Sequence, residues 1–151
     1  MRKILKITSV FAFILMLSAC SRQDESCVNP TLNVEDLEKL NACMQPSLFE
    51  VDLPVGDFVV VRSQTDFDKL FTPSECFNID FSKNDLVVGK KELRSNLVSI
   101  DYTLTQDCKT NNLMLKVVFT RGLASVVSIV IYGTLIPKLQ GEQMVTVTLN
   151  D

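Results

Sequence analysis

The side chains of this chain that are able to do covalent or metal chemistry are five cysteines, at positions 20, 27, 43, 76 and 108 of 151 residues, in a sequence with no histidine. A thiolate is a nucleophile, a metal ligand or half of a disulfide, and spacing decides among these roles. No two cysteines form a Cys-x-x-Cys pair, so neither a redox dithiol nor a zinc knuckle is indicated. The missing imidazole removes Ser-His-Asp and Cys-His catalysis, and with them the commonest general base and zinc ligand. Glycines stand singly at 56, 89, 122, 133 and 141, which leaves no phosphate-cradling loop. Among the carboxylates, Asp66 and Asp68 come nearest to a working pair, but they fall in the first turn of a predicted helix, where acids complement the dipole. No Asp-rich loop with alternating oxygen ligands offers a calcium site. The expectation is therefore a protein with no catalytic residues, no metal and no cofactor.

The elements around the first cysteine give it a role. Met1-Arg2-Lys3-Ile4-Leu5-Lys6 is a basic start, Ile7 to Leu17 an uncharged and mostly apolar run, and Ser18-Ala19 a small pair, which is the plan of a cleaved signal peptide over residues 1–19. The run is shorter than the roughly 20 residues a membrane helix needs. Leu17-Ser18-Ala19-Cys20 resembles the lipobox of bacterial lipoproteins. The resemblance implies that Cys20 becomes the first mature residue, its sulfur carrying a diacylglyceryl group and its freed amine a further acyl chain. Two chains anchor stably where one binds marginally, at about 0.8 kcal/mol per buried methylene. It also implies an address: Ser21 stands where an aspartate would retain the protein at the inner membrane, which favours the outer membrane. Ser21-Arg22-Gln23-Asp24-Glu25 is similar to the short acidic export tags of surface lipoproteins in the Bacteroidota, and equally suits a solvated tether.

Removing 19 of the 151 residues leaves 132, enough for one domain with its own core, and 12 basic against 18 acidic residues, a formal charge of −6. Such a chain has no electrostatic reason to seek nucleic acid. Cys27, Cys43, Cys76 and Cys108 remain, an even count that in an exported protein indicates disulfides, with three connectivities open and four reduced thiols as the alternative. Sequence order favours Cys27 with Cys43 and Cys76 with Cys108.

Along the chain, residues 20–33 read as the lipidated cysteine and a polar tether. Asn33 is placed to cap a helix from Val34 to Cys43, with Val34, Leu37, Leu40 and Met44 on one face and Pro46 ending it, in an N-terminal segment of 34–56. From residue 57 the texture is β-rich. Phe58-Val59-Val60-Val61 predicts a strand; Thr65 is placed to cap a short helix carrying Phe67, Leu70 and Phe71, which Pro73 stops. Leu86-Val87-Val88 predicts another strand, and Val98, Ile100, Tyr102 and Leu104 alternate with polar residues along a third. "QDCKTNN" at 106–112 is a turn by composition, followed by Leu113, Leu115, Val117 and Phe119 on one strand face and Val145, Val147 and Leu149 on another. Between Arg121 and Lys138 lie 16 uncharged residues, "GLASVVSIVIYGTLIP", too short and too β-branched for a membrane span and better read as a central strand. The expected fold class is α+β: a mainly antiparallel sheet with one or two short helices packed on it.

"FVVVRSQTDFDKLF", "IDFSKNDLVVG", a hairpin of alternating strands and "IVIYGTLIPK" follow one another in an order that resembles the C-terminal domain of the PrcB-type lipoproteins, over residues 57–151. In that family Asp80, Phe81, Ser82 and Lys138 would occupy an Asp-Phe-Ser motif and the lysine closing the last core strand. The resemblance implies a lipid-anchored accessory protein that stabilises a partner in the envelope, with no catalytic set. The chain departs from the family at Lys90-Lys91-Glu92-Leu93-Arg94-Ser95-Asn96, where glycines are usual; Lys90, Lys91 and Arg94 in this expected loop are the candidate partner contacts. Two other readings stand beside it. One is a small glycan- or ligand-binding surface lipoprotein, which has only Tyr102 and Tyr132 and no tryptophan to form a platform. The other is a structural envelope lipoprotein.

Replacement of the lipobox cysteine, Cys20→Ser, should abolish palmitate labelling and move the protein from the membrane to the soluble fraction; retention in washed membranes without label would exclude Cys20 as the anchor.

Overall fold

The computed structural model describes residues 27–40, 50–72 and 77–151; the signal segment, Cys20, Cys43 and Cys76, and the expected helix end around Met44 and Pro46, lie outside the described residues. In chain order the elements are β1 (Thr31–Leu32), β2 (Glu35–Asp36), α1 (Leu37–Leu40), β3 (Glu50–Val51), β4 (Phe58–Val61), α2 (Gln64–Leu70), β5 (Phe71–Thr72), β6 (Asn84–Leu93), β7 (Leu97–Gln106), β8 (Leu113–Arg121), β9 (Ser128–Pro137) and β10 (Val145–Asn150). The fold is mainly antiparallel β with short helices, the α+β class expected from the alternation of the strands.

Two four-stranded sheets face each other, one in the order β2-β9-β6-β4 and the other β1-β7-β8-β10. The first is built on a continuous antiparallel ladder from Asn84↔Pro137 to Leu93↔Ser128. Strand β6 is buried on both faces, which is why its apolar residues run consecutively instead of alternating. Leu86 and Val88 join Phe67, Phe71, Phe77 and Leu135 in an outer core under α2, whereas Val87 and Leu93 join Leu104, Leu115, Val117, Phe119 and Tyr132 between the sheets. The outer core is aromatic: Phe67 stacks on Phe71 at 4.3 Å and meets Phe77 edge-on at 5.6 Å. β9 runs from one end of the molecule to the other, so β10 returns parallel to β8, with Val145 beside Leu113.

At the far end of this ladder a buried acid organises the corner. Asp85 is fully buried and accepts from Lys138 Nζ at 2.5 Å and from the Leu139 amide at 3.0 Å, with Arg62 Nε at 3.6 Å. A buried carboxylate is tolerated when its charge and lone pairs are met in this way. The Asp80-Phe81-Ser82 stretch forms the adjoining turn: Asp80 accepts from the Ser82 amide and hydroxyl, Phe81 packs on Phe67, and the Lys138 amide donates to the Lys83 carbonyl. Hydrogen bonds to Ser82, then Lys83, hold the exposed Asp80 carboxyl down at about 2.

Several expectations are corrected. The segment at 31–36 is not tether followed by helix: Leu32 pairs with Leu104 in one sheet and Asp36 with Thr134 in the other, so the chain straps the two sheets together before α1 begins at Leu37. Buried Thr134 fixes this strap by donating to the Glu35 carbonyl at 2.9 Å. Val34 and Leu37 accordingly serve different cores rather than one helix face. Of the expected N-terminal segment, residues 50–51 pair with β5, Val51 lying opposite Phe71. Ser63, not Thr65, caps α2, its hydroxyl accepting from the Asp66 amide, and Phe71 has already left the helix for β5. Along β7 the pairing register shifts between Leu97 and Ser99, and this bulge turns Val98 out to solvent while Ile100, Tyr102 and Leu104 keep the inward face.

The disulfide connectivity favoured by sequence order is corrected too. Cys27 is bonded to Cys108, with Cα atoms 5.8 Å apart, so neither Cys27 with Cys43 nor Cys76 with Cys108 forms. Register explains the choice. Thr31 lies opposite Thr105, the Gln106 amide donates to the Pro30 carbonyl, and the Cys108 amide donates to the Asn29 side chain, which carries Cys27 alongside Cys108. A bond across 81 residues of sequence contributes about 4.5 kcal/mol in the chain-entropy account. Non-reducing peptide mapping should recover the Cys27–Cys108 link, and Cys27→Ser should lower the urea-unfolding free energy by about 2–4 kcal/mol; a Cys27–Cys43 peptide would overturn the pairing.

Candidate docking site

Because β6 and β8 run toward the same end of the molecule, the chain crosses between the sheets twice there, at residues 94–96 and again at 122–127. The two crossings are clasped. The Gly122 amide donates to the Asn96 carbonyl at 2.8 Å, the Asn96 amide to the Ala124 carbonyl at 3.1 Å, and the Ala124 amide to Asn96 Oδ1 at 3.0 Å. The Ser128 hydroxyl adds a bond to the Ser95 carbonyl at 3.3 Å. Gly122 makes room for the clasp: a Cβ there would lie 2.3 Å from the Asn96 side-chain amide and would displace it.

With its backbone held this way, the longer crossing has no interior left to fill. Leu123 is fully exposed, Val127 is 70% exposed and Val126 is also in solvent. Ile129, just inside β9, and Val98, turned out by the bulge in β7, add two more exposed branched side chains at the same end. Scattered exposed apolar residues are ordinary; here five lie at one end, Leu123, Val126 and Val127 on the crossing itself, with Val98 and Ile129 flanking it on the outer faces of opposite sheets.

The three basic candidates do not form one patch, and the expected loop is shorter: β6 continues through Leu93, leaving only 94–96 as the crossing. Lys90 lines a cleft with Glu50, Asp52, Lys69 and Thr72 on the α2 side. Lys91 points to the other face, where its ammonium bonds Asp151 at 2.7 Å and sits 4.8 Å from the centre of the Phe119 ring, closing the end of the inter-sheet core. Its side chain is committed to the fold. Lys91 and Arg121 hold the Asp151 carboxyl below its usual range, the Lys91 hydrogen bond contributing most. Arg94 alone of the three stands exposed at the apolar end, and among the described residues it has no ion-pair partner. Arg121, the other cation there, makes a long 3.6 Å contact to Asp151.

Sequence reasoning missed Leu123, Val126, Val127, Ile129 and Arg121. One signal was present: the uncharged run of 16 residues exceeds the ten-residue strand it feeds, and the six residues in excess, at 122–127, are the exposed crossing.

Acids elsewhere are engaged locally. Asp66 takes the Ser63 hydroxyl at 2.7 Å, which chiefly lowers its carboxyl, and Asp68 takes the Gln64 side chain. Asp107 gathers the Lys109 and Thr110 amides in the β7–β8 turn, the Thr110 amide being the largest cause of its lowered carboxyl. Among the described residues, buried Tyr132 finds no hydrogen-bond partner for its hydroxyl, and desolvation raises its phenol; it fits because Gly89 leaves room, a Cβ there falling 2.4 Å from the hydroxyl. Among the described residues no group of three or more acids and cysteines is placed to hold a metal, and no helix is long and apolar enough to cross a membrane.

Asn96→Ala deletes the Oδ1 bond to Ala124 and should cost about 1 kcal/mol while speeding amide exchange at Ala124 and Gly122; unchanged exchange there would show that the clasp does not hold the crossing. Comparisons with protein-family models, curated proteins and solved structures give no match.

Proposed function

We propose that this chain is a lipid-anchored, non-catalytic binding or accessory module of the bacterial cell envelope, held at the outer membrane and docking another envelope protein through its clasped apolar end. The observation that carries the reading is that end itself: Leu123, Val126, Val127, Ile129 and Val98 held in solvent by a hydrogen-bonded backbone. A backbone already held by hydrogen bonds has less main-chain entropy to lose when a partner covers the side chains it carries. Three further features support the reading. The Cys20 motif resembles a lipobox, the order of elements resembles the PrcB-type accessory domain, and Cys27, where the described chain emerges from the tether, is stapled to the β7–β8 turn at the opposite end from the apolar crossing. Tyr102 and Tyr132 both pack in the inter-sheet cluster, which weighs against their forming a sugar platform.

The test is capture from crosslinked envelopes in mild detergent, with a tag placed on a flexible linker after Asp151, comparing the native chain with Leu123→Ser/Val127→Ser. One recurrent stoichiometric companion, reduced roughly fivefold or more by the double substitution, is the expected result. Capture without any companion would sink the accessory reading, and a companion indifferent to the substitutions would move the docking face elsewhere.

A further inference from the structure

Resting on the anchored reading above, we infer that the end of the domain carrying the Cys27–Cys108 bond seats on the headgroup surface of the bilayer that holds the lipid, with Val28 and Met144 entering that surface and the clasped end turned away from it.

The bond sets the geometry. Cys27 is joined to Cys108 in the β7–β8 turn. Directly behind it the Cys108 amide donates to the Asn29 side chain and the Gln106 amide to the Pro30 carbonyl, so the tether ends at Cys27 and gains no length from the residues that follow. Seven residues from Cys20 to Cys27 reach at most about 25 Å. The crossings at 94–96 and 122–127 lie at the other end of β7, whose ten residues rise about 30 Å. A domain standing on its crossings would hold Cys27 about 30 Å above the membrane, beyond the reach of the tether. Standing on the bonded end, it keeps Cys27 at the surface.

That end presents a fixed face. The β7–β8 turn is tied to the β9–β10 loop: the Met144 amide donates to Asn112 Oδ1 at 3.0 Å, the Leu113 amide to the Met144 carbonyl at 2.9 Å, and the Gln143 side chain to the Asn111 carbonyl. Met144 is 64% exposed beside this tie, and Val28, next to the disulfide, is 73% exposed. Two apolar side chains are a weak membrane ligand for a protein free in solution. On a chain already anchored a few residues away the contact is intramolecular, so weak affinity is enough. Charge does not oppose it, since Lys83 and Lys109 stand at this end with Asp80, Asp107 and Glu142.

The chain has no tryptophan, so Met144→Trp and Leu123→Trp each place one fluorophore at one end of the molecule. Each full-length variant is purified from membranes in mild detergent and reconstituted in vesicles of phosphatidylethanolamine and phosphatidylglycerol, with or without a lipid carrying a nitroxide on its headgroup. Retention of the Cys27–Cys108 link reports folding. The expected result is emission dimmed roughly twofold or more by the nitroxide in Met144→Trp and unchanged in Leu123→Trp. Equal dimming of both, stronger dimming of Leu123→Trp, or dimming of neither would overturn the inference. The intact mass and flotation of the same preparations read the anchor separately. An acylated chain that floats with the vesicles while Met144→Trp stays bright overturns the seating alone; a chain without acyl groups that stays off the vesicles removes the anchored reading and the seating with it.

Discussion

The architecture depends on one constraint, the burial of the β6–β9 ladder on both faces. A sheet covered on one side alone could be finished by a single partner layer. Here Leu86 and Val88 require the aromatic layer of Phe67, Phe71 and Phe77, and Val87 and Leu93 require the second sheet. Each layer removes a separate apolar surface from water, at roughly 25 cal/mol per Å2. The helix α2 and the β3–β5 pair exist to cap the outer core; the hairpin β7–β8 exists to close the inner one. Asp85 and Thr134, fully buried in this wall, are tolerated because Lys138, the Leu139 amide and the Glu35 carbonyl satisfy them.

From that constraint the two ends of the molecule acquire opposite characters. At one end the strap through Thr31–Leu32 and Glu35–Asp36, the Asp80 turn, the Asp85 corner and the Cys27–Cys108 bond draw the chain together with polar and covalent ties. At the other the chain must cross twice from sheet to sheet, and the clasp on Asn96 stabilises the crossings without providing any core beneath them. Apolar residues in the longer crossing then have nowhere to go but outward. Lys91, stretched over Phe119 and paired with Asp151, seals the core just below and marks where the fold ends and the exposed surface begins.

Much of this was legible in the residue pattern. β8 and β10 appear in their alternation, the turn at 107–112 in its Asp and Asn content, and the central strand β9 in a run too β-branched and too short for a membrane helix. Misreadings fell where two local solutions were nearly equal. Ser63 and Thr65 are both competent caps, and only the packing of Phe67 settles which hydroxyl is used. Val98 fits the alternation of β7 perfectly well, but a bulge costs little locally and the register with Arg121 and Thr120 moves it outside. Lys90, Lys91 and Arg94 are neighbours in sequence, yet a strand sends adjacent side chains to opposite faces, so they could not act as one patch once β6 extended to Leu93.

By itself the sequence determined the fold class, the centres of the long strands though not the extension of β6 to Leu93, the absence of histidine chemistry and the resemblance of its first twenty residues to a lipoprotein leader, because each rests on composition or on periods of a few residues. Tertiary structure alone decided that Cys27 meets Cys108, that residues 31–36 join two sheets, and that Leu123, Val127 and Val98 share one exposed end. Those outcomes depend on contacts across tens of residues, where closing a longer loop adds only slowly to the entropic cost and the choice falls to register and burial.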